Sequence, residues 1–224
     1  MNKITLKSVL FDLDGTLLDT APDLAFALNY LLAKNQRSPL PFNLIRPQAG
    51  HGGKGLIKLG FAIDETHSEF IPLWEELLTI YSQHIAVNTV LFPDMEKVLA
   101  FIEEQQLTWG IVTNKPAWLT EPLLQKLNLQ QRAACVVSGD TLPQRKPAPE
   151  PLWHACNLIA VKPADCVYIG DAERDIQSAK SAGLQALIAS FGYLSDHDQP
   201  HLWNADGFIQ QPLEIIEWLT QLKP

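Results

Sequence analysis

The chain has 224 residues, room for one large domain or for one core with an inserted lobe. Its net charge of −8, from 17 Lys and Arg against 25 Asp and Glu, lacks the basic footprint that a nucleic-acid binder needs. No apolar run reaches the ~18 residues of a membrane span, and Met1 to Thr5 leads into the first strand without a secretory signal pattern.

In chain order, the apolar run Val9 to Phe11 predicts a short buried strand, ended by Asp12, Leu13, Asp14 and Gly15. Thr20 is a candidate helix cap, Pro22 suits a first turn, and Leu24, Leu28, Leu31 and Leu32 recur at helical spacing. A Pro-rich break at Ser38 to Pro41 precedes the glycine-rich run Gly50-His51-Gly52-Gly53-Lys54-Gly55. A nucleotide P-loop would need a strand before that run and Ser or Thr after Lys54, so the nucleotide reading is rejected. Two readings stay open: a flexible inter-helix turn, or a substrate-facing loop with Arg46, His51 or Lys54 as anion contacts. Glu65 to Ile85 reads as one long amphipathic helix, so residues 20–88 look all-helical.

Alternation of strands and helices resumes at Pro93. Helices are predicted over 94–105, 116–129 (with Pro122 a candidate kink), 150–159, 174–182 and 212–222. Strands are predicted over 108–113, 134–137, 166–171, 185–189 and 207–209. This pattern implies an α/β fold, a Rossmann-like parallel sheet covered on both faces and interrupted by a helical insertion. Cys135, Cys156 and Cys166 lie among apolar or small neighbours without metal-ligand spacing. They predict buried free thiols and a reducing, cytoplasmic setting.

The polar residues fall at the strand ends. Asp12 and Asp14 share one side of the first strand's end, and burying two carboxylates asks for a cation, a proton or solvent. Thr113 and Asn114 follow a second strand, Lys146 sits in a loop after a third, and Asp171 with Asp175 follows a fourth. In a parallel sheet all such ends lie on one edge. Three carboxylates, Asp12, Asp14 and Asp171, make a hard oxygen site suited to Mg²⁺, and a hydroxyl, an amide and an ammonium suit phosphoryl oxygens.

In order and spacing, Asp12-Leu13-Asp14-Gly15-Thr16, Val112-Thr113-Asn114, Lys146-Pro147 and Gly170-Asp171 with Asp175 resemble the four motifs of the haloacid dehalogenase superfamily. The resemblance implies a core of residues 1–18 and 89–224 and a helical cap over 19–88. It implies Asp12 as nucleophile, Asp14 as general acid and then base, and Lys146 as the neutralising cation. Thr113 and the Asn114 backbone would hold the phosphoryl group. Mg²⁺ would be bound by Asp12, the Asp14 main-chain carbonyl and Asp171, supported by Asp175. Arg46 and Lys54 are the candidate substrate contacts from the cap.

The pair Asp12 and Asp14 favours phosphoryl transfer over carbon–halogen cleavage, which needs neither the second aspartate nor Mg²⁺. A non-catalytic relative would be expected to have lost Asp12 or Asp171. The overall pattern is similar to bacterial phosphoglycolate phosphatases. Trp109 to Pro116, Glu121 to Leu123, Phe191 to Tyr193 and Trp203 to Asp206 are similar to the N-acetylmuramic acid 6-phosphate phosphatases of cell-wall recycling. A sugar-phosphate mutase keeps both aspartates and is a further alternative. The implied partner is a small phosphorylated metabolite, with no nucleic acid and no membrane, acting on a monomer or homodimer.

Overall fold

The computed structural model describes residues 6–221. In chain order it contains β1 (Ser8–Phe11), β2 (Leu18–Asp19), α1 (Ala21–Lys34), α2 (Phe42–Ala49), α3 (Gly52–Phe61), α4 (Phe70–Gln83) and β3 (Val90–Leu91). There follow α5 (Met95–Glu104), β4 (Thr108–Val112), α6 (Ala117–Lys126), β5 (Val136–Val137), α7 (Glu150–Leu158) and β6 (Cys166–Gly170). The chain ends on α8 (Glu173–Ala182), β7 (Gln185–Ala189), β8 (Gly207–Ile209) and α9 (Leu213–Gln221). The predicted N-terminal lead-in, Met1 to Thr5, and the last predicted helical residue, Leu222, lie outside the described residues.

Six strands form one parallel sheet in the order β5-β4-β1-β6-β7-β8. β1 is central, and its four residues are all buried. Alternation along it splits the core: Val9 and Phe11 join one apolar cluster, and Leu10 joins another with Val112 and Tyr168 on the opposite face. The strand order runs outward from β1 on both sides, and such a switch point opens a crevice at the strands' carboxyl ends. The helices α1 to α4 lie between β2 and β3, which pair antiparallel as a two-stranded ribbon at the base of the helical lobe.

Several local expectations change. The helix expected from Glu65 begins at Phe70, because Asp64 Oδ1 accepts the Thr66 N–H at 2.9 Å and His67 Nδ1 accepts the Glu69 N–H at 3.2 Å. Those side chains turn the segment before helical bonding starts. Of the glycine-rich run, Gly50 and His51 form the turn between α2 and α3, as one reading expected, while Gly52 to Gly55 form the first turn of α3. Its glycines permit close helix packing: a Cβ at Gly53 would lie 3.0 Å from Trp74 Nε1, and one at Gly60 would lie 2.8 Å from Leu28 Cδ1. Thr20 precedes α1 but makes no side-chain cap. α6 runs through Pro122 and ends at Lys126. The three cysteines are free and buried. Among the described residues no helix is long and apolar enough to cross a membrane.

Candidate active site

The carboxyl edge of the sheet gathers side chains from β1, β4, β6 and the loop before α7. Buried Lys146 anchors them. Its Nζ lies 2.8 Å from Asp12 Oδ1, 2.8 Å from the Val112 carbonyl, 2.7 Å from the Tyr168 hydroxyl and 2.7 Å from Asp175 Oδ1. A buried ammonium is tolerated only when paired and hydrogen-bonded in this way. Asn114 sets the height of the lysine loop: its Nδ2 donates to the Lys146 carbonyl at 2.9 Å and its Oδ1 accepts the Lys146 N–H at 3.1 Å. Asn114 can come this close because Gly139 has no Cβ, which would stand 2.1 Å from the Asn114 carbonyl oxygen.

Carboxylate oxygens of Asp12, Asp171 and Asp175 all lie within 4.8 Å of one another. Asp175 is already engaged: besides Lys146, its Oδ2 accepts the Ala172 N–H at 3.0 Å and caps α8. Asp171 Oδ2 accepts the Tyr193 N–H at 2.8 Å, while its Oδ1 is buried without a hydrogen-bond partner. Burial, reinforced by the charges of Asp12 and Asp175, pushes the Asp171 carboxyl from 3.8 to about 8. Burial also drives Asp12 upward against the pull of Lys146. A partnerless carboxylate oxygen among buried acids fits a hard divalent cation, held by Asp12 and Asp171 with Asp175 behind them.

Asp14 points elsewhere. Its Oδ1 accepts the Thr20 hydroxyl at 2.6 Å and lies 2.9 Å from Lys115 Nζ. Thr20 therefore spends its hydroxyl on the acid rather than on the helix. Asp12, Asp14, Thr113 and Asn114 form the floor of a cavity of about 470 Å³. Its roof comes from the helical lobe, with Gly50 to Lys54, Trp74 and Tyr81.

The two residues expected from the lobe divide. Lys54 lines the cavity, with its ammonium 3.0 Å from Glu65 and 5.6 Å from the Trp74 ring centre. Arg46 is not among the lining residues. Its Nη1 donates to the Gly192 carbonyl at 2.9 Å, Nη2 lies 3.6 Å from Asp19, and the guanidinium sits 4.9 Å above the Tyr193 ring. A second arginine crosses the other way: Arg174 of α8 lines the cavity and donates to the Gly50 carbonyl at 2.9 Å.

Sequence reasoning gave no role to Lys115, Arg174, Tyr168 or Tyr193. Lys115 carried a usable signal, since an acidic chain handling an anion must place its few cations locally, and this one follows Thr113 and Asn114 directly. Tyr193, singled out only as part of a similar stretch, is a hub. Its hydroxyl accepts the Ala21 N–H at 2.8 Å and donates to Asp19 at 2.9 Å, while its N–H holds Asp171. Trp109 is a core residue whose Nε1 donates to Glu103 at 3.0 Å.

A parallel sheet with buried acids and an ammonium on one edge, under a helical insertion, defines an α/β enzyme of Rossmann-like build. Comparison with known proteins narrows the class. The chain belongs to the haloacid dehalogenase-like hydrolases, whose family model matches residues 9–189. It is 40% identical to an N-acetylmuramic acid 6-phosphate phosphatase of Pseudomonas putida, over 94% of each chain. It is 39% identical to a phosphoglycolate phosphatase of Xanthomonas campestris, over 94% of this chain and 95% of the relative. The fold is also that of a Haemophilus somnus protein described as a predicted phosphoglycolate phosphatase, with a TM-score of 0.84 at 24% identity, covering 96% of this chain and 98% of the other.

Proposed function

We propose that the chain is a Mg²⁺-dependent phosphatase that hydrolyses a small phosphate monoester through an aspartyl-phosphate on Asp12, with residues 19–88 acting as a cap. The observation that carries this reading is Asp12 at the cavity floor, 2.8 Å from Lys146 and clustered with the partnerless oxygen of Asp171. A carboxylate meets a phosphate dianion only where positive charge cancels their repulsion. Lys146 supplies part of it. Mg²⁺ held by Asp12 and Asp171 would supply the rest by polarising phosphoryl oxygens.

In the first half-reaction an Asp12 oxygen attacks phosphorus, the bond to the ester oxygen breaks, and a proton held at Asp14 passes to the leaving alkoxide. In the second, Asp14 takes a proton from water as the water oxygen attacks phosphorus, and inorganic phosphate leaves Asp12 free. The Thr113 hydroxyl and the Asn114 backbone N–H face the phosphoryl oxygens. The transition state is loose, so positioning and charge stabilisation carry most of the catalysis.

The cavity favours a sugar-sized ester. A volume of about 470 Å³ lies in the ~300–1,000 Å³ range of pockets that enclose drug-sized ligands and is generous for a two-carbon acid. Trp74 and Trp118 offer apolar walls, and His51, Lys54 and Arg145 offer polar contacts, which suits N-acetylmuramic acid 6-phosphate. Phosphoglycolate is the second reading, favoured by the Xanthomonas relative at nearly equal identity.

The test is release of inorganic phosphate from N-acetylmuramic acid 6-phosphate, phosphoglycolate and several hexose phosphates, with Mg²⁺ and with EDTA. The expected result is Mg²⁺-dependent release with the highest kcat/KM on the amino-sugar ester. A higher kcat/KM on phosphoglycolate would select the second reading. Isomerised sugar phosphate without free phosphate would mean a mutase, and no release from any ester would refute the proposal.

A further inference from the structure

Lys115 is a buried cation that the roles above leave unused. Its backbone is pinned on three sides: its N–H donates to Thr113 Oγ1 at 3.2 Å, and its carbonyl accepts the Gly139 N–H at 2.8 Å and the Thr120 hydroxyl at 3.2 Å. The side chain therefore starts from a fixed point and reaches across the cavity floor. Its side chain is 6% exposed, with Nζ 2.9 and 3.3 Å from the two Asp14 oxygens. On its other side, Nζ stands 4.5 Å from the centre of the Tyr81 ring, which belongs to α4 of the helical lobe. Although burial works against its charge, the Asp14 carboxylate beside it holds the ammonium above its ordinary value. One side chain thus touches the acid of the core and an aromatic face of the lobe.

Resting on the phosphatase reading, we propose that Lys115 is a positioning residue that couples Asp14 to the lobe. Its ammonium fixes both Asp14 oxygens where a leaving alkoxide would stand, and Tyr81 keeps the ammonium there while the lobe covers the cavity. With the lobe displaced, water replaces the aromatic face, and the ion pair weakens as the local dielectric rises. Asp14 then keeps only the Thr20 hydroxyl, which leaves its second oxygen unheld. The acid and base are aligned only in the covered site, so an uncovered phosphoryl-enzyme would lose protonic assistance.

The experiment compares a hexose 6-phosphate, whose alkoxide needs a proton to leave, with p-nitrophenyl phosphate, whose phenolate does not. In Lys115→Met the ratio of kcat/KM on the alkyl ester to kcat/KM on the aryl ester, which reads transfer to Asp12 and not the shared hydrolysis, falls at least tenfold, a share of the ~10²–10⁴ that a positioned acid supplies. Lys115→Arg recovers part of that ratio. Tyr81→Leu lowers the ratio in the same direction, and adding Tyr81→Leu to Lys115→Met lowers it no further, because both act through one ammonium.

The inhibition constant of inorganic phosphate stays within threefold of the parent in Lys115→Arg and Tyr81→Leu, which keep the charge, and the thermal midpoint of each variant stays within a few degrees of the parent. An equal fall of kcat/KM on both esters, or phosphate affinity lost in Lys115→Arg, would make Lys115 a phosphoryl ligand and overturn the proposal. So would full additivity of the two substitutions. Variants that fail to fold are replaced by Lys115→Gln and Tyr81→Met, read by the same ratio. If the parent protein releases phosphate from neither ester, the phosphatase reading fails, whereas an unchanged ratio in an active enzyme defeats this proposal alone.

Discussion

Asp171→Asn tests the charge logic of the site most directly. The Asp171 carboxyl titrates at about 8 rather than 3.8, chiefly because it is buried and then because Asp12 and Asp175 surround it. A folded value above the unfolded one means that the metal-free fold binds a proton the unfolded chain has released. Stability from this group is fully present below pH ~4 and is lost as the pH rises through about 8. Each tenfold change in proton affinity is worth ~1.4 kcal/mol, so ionising Asp171 without a cation costs the fold several kcal/mol.

In EDTA at pH 8, Asp171→Asn is therefore expected to melt higher than the parent. Raising the carboxyl from 3.8 to about 8 is worth ~5 kcal/mol at pH 8, so at ~2–4 °C per kcal/mol for a domain of this size the difference is roughly 10–20 °C. At pH 5 the difference should shrink to roughly 3–6 °C, because the folded parent is still neutral but the unfolded carboxyl has already ionised. Mg²⁺ at ~100 times its dissociation constant adds ~2.7 kcal/mol to a protein that binds it, and the variant should lose most of that gain. Scanning calorimetry at both pH values, with EDTA and with Mg²⁺, reads all four conditions. A variant less stable than the parent at pH 8 in EDTA, or one still stabilised by Mg²⁺, would refute the reasoning.

Three further outcomes follow from the geometry. Asp12→Asn should abolish phosphate release while leaving the thermal midpoint equal or higher in EDTA, and mass spectrometry of the quenched enzyme should find no phosphoryl adduct. Gly15→Ala sets a Cβ 2.1 Å from Asp171 Oδ2 on a backbone at φ +84, so it should weaken Mg²⁺ binding at least tenfold by calorimetric titration and cost about 1–3 kcal/mol of stability. Lys54→Ala should raise KM for the amino-sugar ester at least threefold with kcat little changed, and raise it less for p-nitrophenyl phosphate; equal effects would remove Lys54 from substrate contact.

The sheet and its acidic edge were legible because both rest on local signals. Val9 to Phe11 reads as a strand from composition alone, and Asp12 and Asp14 declare themselves by following it. Lys146 and Asp171 stand at equivalent places in later strand–loop units, so topology brings them together without knowledge of side-chain packing. The helical lobe was harder. The run Gly50 to Gly55 suggested a loop or an inter-helix turn, yet Gly53 lies inside α3 and serves a tight contact with Trp74, a partner invisible to a local reading. Arg46 looked like an anion contact, but its hydrogen-bond acceptor is Gly192, 146 residues away. Lys115 and Asp14 are 101 residues apart, and nothing in either neighbourhood names the other.

The side chains at the sheet edge also explain why a chain of net charge −8 can receive a phosphate dianion. Asp12, Asp14, Asp171 and Asp175 meet Lys115, Lys146 and Arg174, leaving one negative charge in excess if every group is ionised. A proton on Asp171 removes that excess in the metal-free protein, which is the physical content of its raised value. A divalent ion in place of the proton makes the cluster positive by one charge, and a phosphate dianion then returns it to a single negative charge. Cation and substrate are thus each favourable only in sequence: the dianion is repelled by the bare carboxylates and attracted once the ion is held. That order requires phosphate affinity to rise with Mg²⁺ at pH 8, where Asp171 must otherwise surrender its proton unaided.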